Sequence, residues 1–501
     1  AAELEVDAHC NARSSQSTPR HSVRLVIVDL SGQLCGIDAA PDDSIADLRP
    51  RIAELLGIRV HRELCLLCES EVLDDTLTVA QLPSIELRAV IVKVPIVELV
   101  PLGERVSGRA RYSAAGVLSL NGQIFFAPNE AHKVLCIDPE AHTAELMSPA
   151  LGSGNMCRYT GGGVLAPNGK IFFAPNEAQK VLCIRSDLEE TVVETIGPPL
   201  AKSHKYMGSG LLAPNGHIFF APYVAPHVLA VDPETEKVSL LGPELHGGAK
   251  YSAGAVARNG CIYYAPISAA QVLCIDTERH EVRTLEPSMD GFFKYTSSGV
   301  LAEDGRIYFA PFNAPHVLRV DPDAQRVEFL GPALPGRSKY SACGISAKDG
   351  RIYFAPFDAA RVLRVDPLMG TVDFLGPELH GRGKYAGAGV VAQNGKIYFA
   401  PSEAMHVLCI DPAQNSVEEY GLIDGINKYA AAGTLAPNGR IYFAPCDAPR
   451  VLSIEPETQT VEYFGIGMQG MYKYTAEGVV APNGRIYFAP HDTEGVLCVD
   501  V

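Results

Sequence analysis

A unit of 44 to 47 residues recurs nine times between Arg111 and Val501, and it constrains the fold more than any other feature of this 501-residue chain. Each copy opens on a Lys-Tyr or Arg-Tyr pair. The nine tyrosines are Tyr112, Tyr159, Tyr206, Tyr251, Tyr295, Tyr340, Tyr385, Tyr429 and Tyr474. Self-similarity at a period of this length is typical of supersecondary units that stack in a line or close into a ring.

The copy that opens at Lys339 shows the pattern of every unit. A run of small residues is followed by Asp349-Gly350, a pair typical of a two-residue hairpin turn. An apolar strand from Ile352 and another strand from Val362 come next, and a polar turn leads to a fourth strand. The apolar strand shows no alternation, so we expect it to be covered on both faces. Four short strands covered by copies of themselves predict the blade of a β-propeller.

The two ends of the repeat region predict a closed ring. The ninth unit stops after three strands, at Val496–Val501, and Ile96–Val100 supplies the missing fourth strand. An N-terminal strand that completes the last blade leaves no open sheet edge. The prediction is a mainly β protein with a closed propeller of nine four-stranded blades over residues 95–501. Propellers have about four to eight blades, so eight blades is the alternative if one unit fails to form.

Residues 1–93 differ from the repeats in composition and pattern. Residues 1–20 are polar and Ser-rich, which predicts a flexible arm. Residues 21–93 predict two strands joined at Ser31-Gly32, a helix over Ile45–Leu56 with Ser44 as its N-cap, and further strands after it. This order predicts a small α+β roll.

Residues 22–92 resemble ubiquitin and ubiquitin-like domains over their whole length. The resemblance rests on three segments, which are Ser31-Gly32, Pro41–Ile45 and Val72–Asp75. It places Leu67 at the isoleucine of the hydrophobic patch of ubiquitin, with Cys65 and Glu71 replacing two flanking basic residues. Because the terminal Gly-Gly is absent, the resemblance implies a built-in module that docks to ubiquitin receptors and is not itself conjugated.

The repeats are similar to those of streptogramin lyases, gluconolactonases and NHL-type propellers. The similarity rests on the run Pro-Asn-Gly-Arg-Ile-Tyr-Phe, found at residues 437–443 and 482–488. The absence of Trp argues against WD and kelch repeats. The resemblance implies either a binding platform or a lyase or lactonase with its site at the channel mouth, and only the second alternative would involve calcium.

Composition limits the partners and the compartment. A formal net charge of −16 argues against nucleic acid and against an anionic membrane surface, and no apolar run is long enough to span a bilayer. The thirteen cysteines are an odd number, which predicts buried, reduced thiols in the cytoplasm, with the nucleus as the alternative. Five of these cysteines share one repeat position, namely Cys136, Cys183, Cys274, Cys409 and Cys498.

The chain starts with Ala-Ala and not with Met, which suggests a fragment or a processed start.

Nine cations precede the repeat tyrosines, and a propeller places them together on the face at the channel mouth. They are Arg111, Arg158, Lys205, Lys250, Lys294, Lys339, Lys384, Lys428 and Lys473. The loops between second and third strands bring six acids to that face, namely Glu130, Glu177, Asp358, Glu403, Asp447 and Asp492. One hypothesis is a charged funnel for an anionic ligand or a peptide. We favour the other, in which the cations bind loop acids or strand-end carbonyls and the tyrosines wedge between blades.

Positions where the repeat breaks its own pattern are the better candidates for partner binding. Tyr223-Val224 and Ile267-Ser268 lack the loop acid, while Phe292-Phe293 and Met471-Tyr472 lie beside the cation. We expect these residues to form an apolar patch for a partner.

No catalytic residue, metal site or cofactor is predicted. Cys65 and Cys68 fall three apart on a strand and face opposite sides. His227, His316 and His406 recur in alternate blades, too far apart for the bonds of about 2 Å that one metal requires.

The sequence therefore favours a non-enzymatic scaffold. Its propeller is expected to bind a client protein or peptide, and its N-terminal module is expected to dock to ubiquitin-receptor proteins such as the proteasome. The alternative is an enzyme, a propeller-fold lyase or lactonase.

Overall fold

The structure is a computed structural model that describes residues 3–4, 23–28, 34–55, 62–68, 71–72, 77–81, 87–93, 95–103, 106, 109–152, 156–187 and 190–501. The chain forms two compact units, Ala1–Ile96 with Val501, and Val97–Asp500. None of the helices within these described residues combines the length and the apolarity that a bilayer crossing requires.

The first unit has one helix and two small sheets. Its elements are the strands Glu3–Leu4, Val23–Val28, Leu34–Ala39, Arg62–Cys68, Glu71–Val72 and Leu87–Lys93, the helix Ile45–Leu55 and the 3₁₀ turn Val79–Gln81. Val23–Val28 and Leu34–Ala39 form an antiparallel pair, and Arg62–Cys68 pairs antiparallel with Leu87–Lys93. Two residues of the expected arm, Glu3–Leu4, pair with the other side of that last strand. The predicted turn at Ser31-Gly32 lies outside the described residues.

The helix begins where the sequence predicts. The Ser44 hydroxyl accepts a hydrogen bond from the Asp47 N–H (3.2 Å), and the Asp47 carboxylate accepts one from the Ser44 N–H (3.1 Å). This reciprocal pair satisfies two backbone donors that the first turn leaves free. The apolar stripe of Ile45, Leu48 and Ile52 is buried, so the helix packs through the face that its periodicity indicates.

The second unit contains nine four-stranded antiparallel sheets, one for each repeat. We number the blades 1 to 9 in chain order and letter the strands of each blade a to d. The a strands are Val117–Leu118, Val164–Leu165, Leu211–Leu212, Gly254–Val256, Val300–Leu301, Ile345–Ser346, Val390–Val391, Thr434–Leu435 and Val479–Val480. The b strands are Ile124–Phe126, Ile171–Phe173, Ile218–Phe220, Ile262–Tyr264, Ile307–Phe309, Ile352–Phe354, Ile397–Phe399, Ile441–Phe443 and Ile486–Phe488.

The outer half of each blade has longer strands. The c strands are Val134–Asp138, Val181–Ser186, Val228–Asp232, Val272–Asp276, Val317–Asp321, Val362–Asp366, His406–Asp411, Val451–Glu455 and Val496–Asp500. The d strands are Thr143–Met147, Thr191–Ile196, Lys237–Leu241, Glu281–Leu285, Arg326–Leu330, Thr371–Leu375, Ser416–Leu422, Thr460–Phe464 and, for blade 9, Ile96–Val100.

Burial confirms that the b strand is covered on both faces. All three residues of Ile352–Phe354 are inaccessible to solvent. The blades approach one another most closely just before the a strands. A Cβ on Gly208 would lie 1.7 Å from the Ser252 carbonyl oxygen of the next blade, so only glycine fits there.

The ring closes as the sequence predicts, with Ile96–Val100 beside Val496–Asp500 in the ninth sheet. A Cβ on Gly465 of blade 8 would lie 2.4 Å from the Val97 Cβ, so this strand packs directly against the preceding blade.

A closed circle of backbone hydrogen bonds fixes the blade count. Asn129 N–H donates to the Arg111 carbonyl (2.8 Å), and Arg158 N–H of the next blade donates to the Asn129 carbonyl (2.9 Å). The same two bonds recur in every blade, and the circle ends where Arg111 N–H donates to the His491 carbonyl of blade 9 (3.0 Å). Nine blades therefore form, and the eight-bladed alternative is wrong.

Each opening tyrosine packs between two blades. Tyr385 lies in one apolar cluster with Tyr353 and Val362 of blade 6 and with Phe399 and Leu408 of blade 7. These contacts are the core of the ring, since each blade buries its faces only against its neighbours.

Candidate functional site

The nine predicted cations lie just before the a strands, on the face that carries the d-to-a and b-to-c loops. This face is called the loop face below. Eight of the nine side chains have a relative exposure of 1 to 3%, and Arg111 is partly buried. Their charges are therefore withdrawn from solvent.

Backbone carbonyl oxygens bind these cations. Lys339 Nζ donates to the Gly336 carbonyl three residues earlier (3.0 Å). The six other lysines make the same bond, to the carbonyls of Lys202, Gly247, Gly291, Gly381, Gly425 and Gly470. Arg158 donates to the carbonyls of Leu151 (3.0 Å) and Ala131 (3.0 Å), and Arg111 donates to those of Val106 (3.0 Å) and Thr493. The contacts favour the structural interpretation of the ring over the charged funnel.

Burial lowers the pKa of each lysine, because an ammonium loses hydration there. The effect is largest at Lys250, where burial and then the nearby Lys202 lower the pKa to about 8. The loop that precedes Lys250 carries Val224 at the position of the acid. Lys384 differs, because the Asp358 carboxylate opposes the effect of burial on its pKa.

Four of the six loop acids, Asp358, Glu403, Asp447 and Asp492, accept from backbone N–H groups of the following blade, whereas Glu130 accepts from Arg109 N–H of its own blade (3.2 Å). Asp358 accepts from Gly383 N–H (2.8 Å), and Glu403 accepts from Asn427 N–H (3.1 Å). Asn313 makes the same bond with its amide oxygen. These side chains fasten neighbouring blades together, a role that the sequence analysis did not assign to them.

A second, partly basic set lies at or just before the start of the c strands, and the backbone carbonyls of its members bind the repeat tyrosines. The set consists of Lys133, Lys180, His227, His316, Arg361, His406 and Arg450. The Tyr340 hydroxyl donates to the carbonyl of Arg361 (3.0 Å), and the equivalent bond recurs in every blade. The rings of His227 and His316 each contact a carbonyl of their own blade at 3.1 Å. These histidines are not brought together.

Exposed apolar side chains on the loop face fall into separate sectors. Phe292 is 75% exposed on blade 5, and Met471 is 65% exposed on blade 9. Three blades lie between the two pairs of residues on the shorter way round the ring, so they do not form the single patch that was expected. Ile426, in the loop that opens blade 8, is 71% exposed and was not among the predicted residues.

A compact apolar group lies on blades 5 and 6. The Phe312 and Phe357 rings are 6.4 Å apart, and Asn313 N–H donates to the Phe293 carbonyl, which brings the Phe292-Phe293 loop beside Phe312. We call Phe292, Phe293, Phe312 and Phe357 the apolar sector. The signal in the sequence is the position after the b-strand proline, which is aromatic or aliphatic in blades 3 to 6 and polar or Cys elsewhere.

One carboxylate stands out in the segments that follow the opening tyrosines. These segments consist of small residues and Met207 in eight blades, whereas blade 9 carries Glu477. The Glu477 side chain is exposed, yet partial burial by the surrounding protein raises its pKa. The equivalent positions of the two adjacent blades hold Ala432 and Ala115, so no nucleophile or base stands beside it there.

Leu67 lies in strand Arg62–Cys68, opposite Val72 on one side and Arg88 on the other. Cys65 lies on the same strand, and Glu71 begins the next.

No protein-family model matches the sequence, and no curated protein matches it either. Several solved structures are similar. A virginiamycin B lyase from Staphylococcus aureus is 14% identical with a TM-score of 0.42, over 59% of this chain and 94% of that chain. The periplasmic gluconolactonase of Pseudomonas aeruginosa is 15% identical with a TM-score of 0.39, again over 59% and 94%. The hydrazine synthase of Kuenenia stuttgartiensis is 15% identical with a TM-score of 0.36, over 58% and 94%. At these values the similarities carry no conclusion about the activity of this chain.

Proposed function

We propose that this protein is a non-enzymatic interaction scaffold. Its propeller binds a client protein or peptide through the apolar sector on blades 5 and 6, and residues 21–93 dock to ubiquitin-receptor proteins such as those of the proteasome. The observation that carries the proposal is the exposure of adjacent aromatic side chains on a face whose nine repeated cations are all hydrogen-bonded to backbone carbonyls.

Exposure of Phe292 (75%) and Phe293 (47%) supports a binding role. The free energy falls when a partner covers large aromatic side chains that are otherwise exposed to water, and such residues dominate protein interfaces. Phe293 has a φ of 51°, as have the equivalent His204 (52°) and Ser338 (50°), so the repeat itself sets the backbone of this loop. Hydrogen bonds from Asn313 on one side and Ser268 on the other hold that backbone in place, which reduces the entropy cost of ordering the loop on binding.

The order of elements supports the ubiquitin-like assignment of residues 21–93. A hairpin, a helix, a long strand, a short strand and a last strand that pairs with the long one follow one another as in the family that the sequence resembles. Leu67 lies on the long strand, where a hydrophobic docking patch would be centred. The free thiols found among the described residues fit a reducing compartment, the cytoplasm or the nucleus.

The test of the apolar sector compares two matched double variants of the full chain. Phe292→Ser with Phe293→Asn introduces residues that the repeat already uses at these positions in blades 3 and 8, as Ser203 and Asn427. Leu368→Glu with Met369→Thr changes two residues on the opposite face that are even more exposed (90% and 70%), again to residues found in blade 8. We expect proteins cross-linked to the wild-type chain to be lost from the first variant and kept by the second. Equal capture by both would reject the apolar sector.

The docking of the N-terminal unit is tested separately. Proteasomal ubiquitin receptors are expected to bind the wild-type chain and to lose affinity about tenfold or more on Leu67→Ala, the cost of about 1.4 kcal/mol expected for one patch residue. Binding that is absent, or unchanged in the variant, would remove this part of the proposal and leave the client-binding part standing.

The enzyme alternative rests on Glu477, because a carboxyl with a raised pKa is suited to proton transfer. Turnover of a lactone or a streptogramin by the wild-type chain, with or without calcium, and its loss in Glu477→Gln would establish that alternative. Absence of turnover in both chains would favour the scaffold.

A further inference from the structure

We call the contact between two neighbouring blades a seam. The seams have one equivalent site in common, which is made of three residues. It combines the middle of one c strand, the facing residue of the same blade's d strand, and the c-to-d turn of the next blade. Between blades 7 and 8 these residues are Cys409, Glu418 and Gln459, and Gln459 Nε2 donates to the Glu418 carboxylate (3.3 Å). Between blades 4 and 5, Cys274 Sγ contacts Gln325 Oε1 at 3.7 Å. A glutamine in the turn therefore fits this position without disturbing the seam.

At the seam that closes the ring, the same position holds a different set of side chains. Cys498 belongs to the last c strand, Glu98 to the N-terminal strand that completes blade 9, and His142 to the turn of blade 1. One ligand atom from each of the three lies within 4.8 Å of the others. His142 Nε2 and the Glu98 carboxylate oxygen are 3.1 Å apart.

We propose that Cys498, His142 and Glu98 form a zinc site that fastens the closing seam. Thiolate, imidazole and carboxylate are the ligands that zinc combines in proteins, with bonds of about 2.0 to 2.3 Å. Two such bonds at a tetrahedral angle separate their ligand atoms by about 3 to 4 Å. The His142 and Glu98 atoms already have this spacing, and a ligand atom of each of the three residues lies within 4.8 Å of the others, so a small shift of Cys498 or His142 completes the set. Glu98 and His142 are partly exposed, so the ion has a path to the site and water completes the coordination.

The hydrogen bonds around His142 define what must change when zinc binds. Arg485 and the Tyr487 hydroxyl lie 3.0 and 3.3 Å from His142 Nδ1. A guanidinium only donates, so Nδ1 accepts in the metal-free protein and Nε2–H points to Glu98. On binding, Nε2 gives its lone pair to zinc and its proton moves to Nδ1, where the Tyr487 oxygen accepts it. Protonated Nδ1 can no longer accept from Arg485 Nη1, which turns to solvent, while Arg485 Nη2 keeps its ion pair with Asp500 (2.9 Å). The Cys498 thiol releases one proton to solvent.

A second group of ligand-type side chains shows why the closing seam is distinctive. Cys183, Glu194 and Glu236 also lie within 4.8 Å of one another. There, however, Arg185 and Lys170 bind the Glu236 carboxylate at 2.7 and 2.8 Å. Protein cations already occupy the place of a metal, so no zinc is proposed at that group.

The test measures zinc bound per full-length chain for four proteins. His142→Gln and Cys498→Ser introduce residues that equivalent positions carry in blade 8, Gln459 and Ser453, and both are expected to fold. Cys409→Ser is the control, a change at the same position of a seam without histidine. Elemental analysis after gel filtration should give one zinc more in the wild type and in Cys409→Ser than in the other two variants.

Two further readouts separate zinc binding from a structural role of the same residues. Calorimetric titration with zinc in buffers of different ionisation enthalpy should show that the wild type releases about one proton as this site fills. The two variants should not show this release. Added zinc should raise the melting temperature of the wild type and leave that of His142→Gln unchanged, while both melt alike without zinc. Equal zinc content in wild type and His142→Gln would overturn the proposal.

Discussion

A lysine buried against a carbonyl oxygen stabilises the fold through its hydrogen bond, but it loses the hydration of its charge. In seven blades the Nζ of such a lysine is held by a carbonyl three residues earlier, and burial lowers the pKa. The effect is largest at Lys250, where the charge of the nearby Lys202 lowers the pKa further after burial.

The pH dependence of stability should report Lys250 directly. The folded-state pKa is about 8 and the unfolded one about 10.4, so between these values the unfolded chain holds more protons and stability rises with pH. Below about pH 8 both states are protonated and the full cost persists. The unfolding free energy of the wild type minus that of Lys250→Met should therefore grow by about 2 to 3 kcal/mol from pH 7 to 10.

Urea unfolding at four pH values measures this difference. Lys384→Met is the control, because the Asp358 carboxylate opposes the desolvation of Lys384, and its difference from wild type should change less. A flat profile for both variants would show that Lys250 stays charged throughout.

The tyrosine of the repeat pair has a more direct role. The Tyr340 hydroxyl is buried and donates to the Arg361 carbonyl (3.0 Å). Tyr340→Phe leaves that carbonyl without this donor and should lower the unfolding free energy by about 1 to 3 kcal/mol. The matched change is Tyr463→Phe, whose hydroxyl contacts the Leu422 carbonyl at 3.4 Å on a side chain that is 40% exposed. It should cost less than about 0.5 kcal/mol, as chemical denaturation of both proteins will measure.

Single residues were only partly predictable from the sequence. The repetition of the Lys-Tyr pair indicated that both residues serve the blade, and carbonyl groups were one of the partners considered for the lysine. The bond between the Asp358 carboxylate and the Gly383 N–H was not predicted. It joins residues 25 positions apart across two blades, and nothing in either local segment indicates that they meet.

Strands and turns were predicted well where local chemistry determines them. The Asn-Gly and Asp-Gly turns, the start of the helix at Ile45 and the closing strand Ile96–Val100 all lie where expected. The a strands have only two or three residues, and the segments before them are crowded by neighbouring blades.

Two glycines with the same backbone conformation allow the cost of backbone strain to be measured apart from the cost of steric crowding between elements. Gly439 and Gly465 have φ values of 84° and 82°. A Cβ on Gly439 would meet nothing within 4 Å, whereas one on Gly465 would lie 2.4 Å from the Val97 Cβ of the closing strand.

Gly439→Ala should therefore cost only the conformational strain, about 1 kcal/mol. Gly465→Ala must also displace the closing strand, and we expect a loss of about 3 kcal/mol or more. Thermal and urea unfolding provide the comparison. Equal losses would mean that the strand Ile96–Val100 can move away from residue 465 without lowering the unfolding free energy.

The number of blades is a property of the whole ring, and the sequence left it open. Each seam contributes a small rotation, and only the sum of the rotations decides whether eight or nine units close. The backbone circle that returns to Arg111 from His491 shows that nine do. No local segment contains that information. The missing fourth strand could be recognised, because counting the strands within the last repeat is enough to show that one is absent.

Closure should contribute several kcal/mol to the stability of the ring. Removing residues 1–100 takes away the d strand of blade 9, in which Val97 and Val100 are buried to 94% or more. Loss of two buried valines costs about 3 to 6 kcal/mol, and it exposes the edge of Val496–Asp500 to pairing with other chains. Removing only residues 1–94 keeps the strand and should leave the melting temperature of the ring unchanged.

Hydrogen exchange and light scattering distinguish the two truncated chains. In the shorter chain the amides of Val496–Asp500 should exchange at least tenfold faster and the protein should self-associate, because a ring of repeats with one open blade unfolds from its free end. A synthetic peptide of residues 95–103 should restore protection by occupying the vacant edge, while the same residues in scrambled order should not. Equal exchange in both truncated chains would mean that the circle of backbone bonds holds the ring without its closing strand.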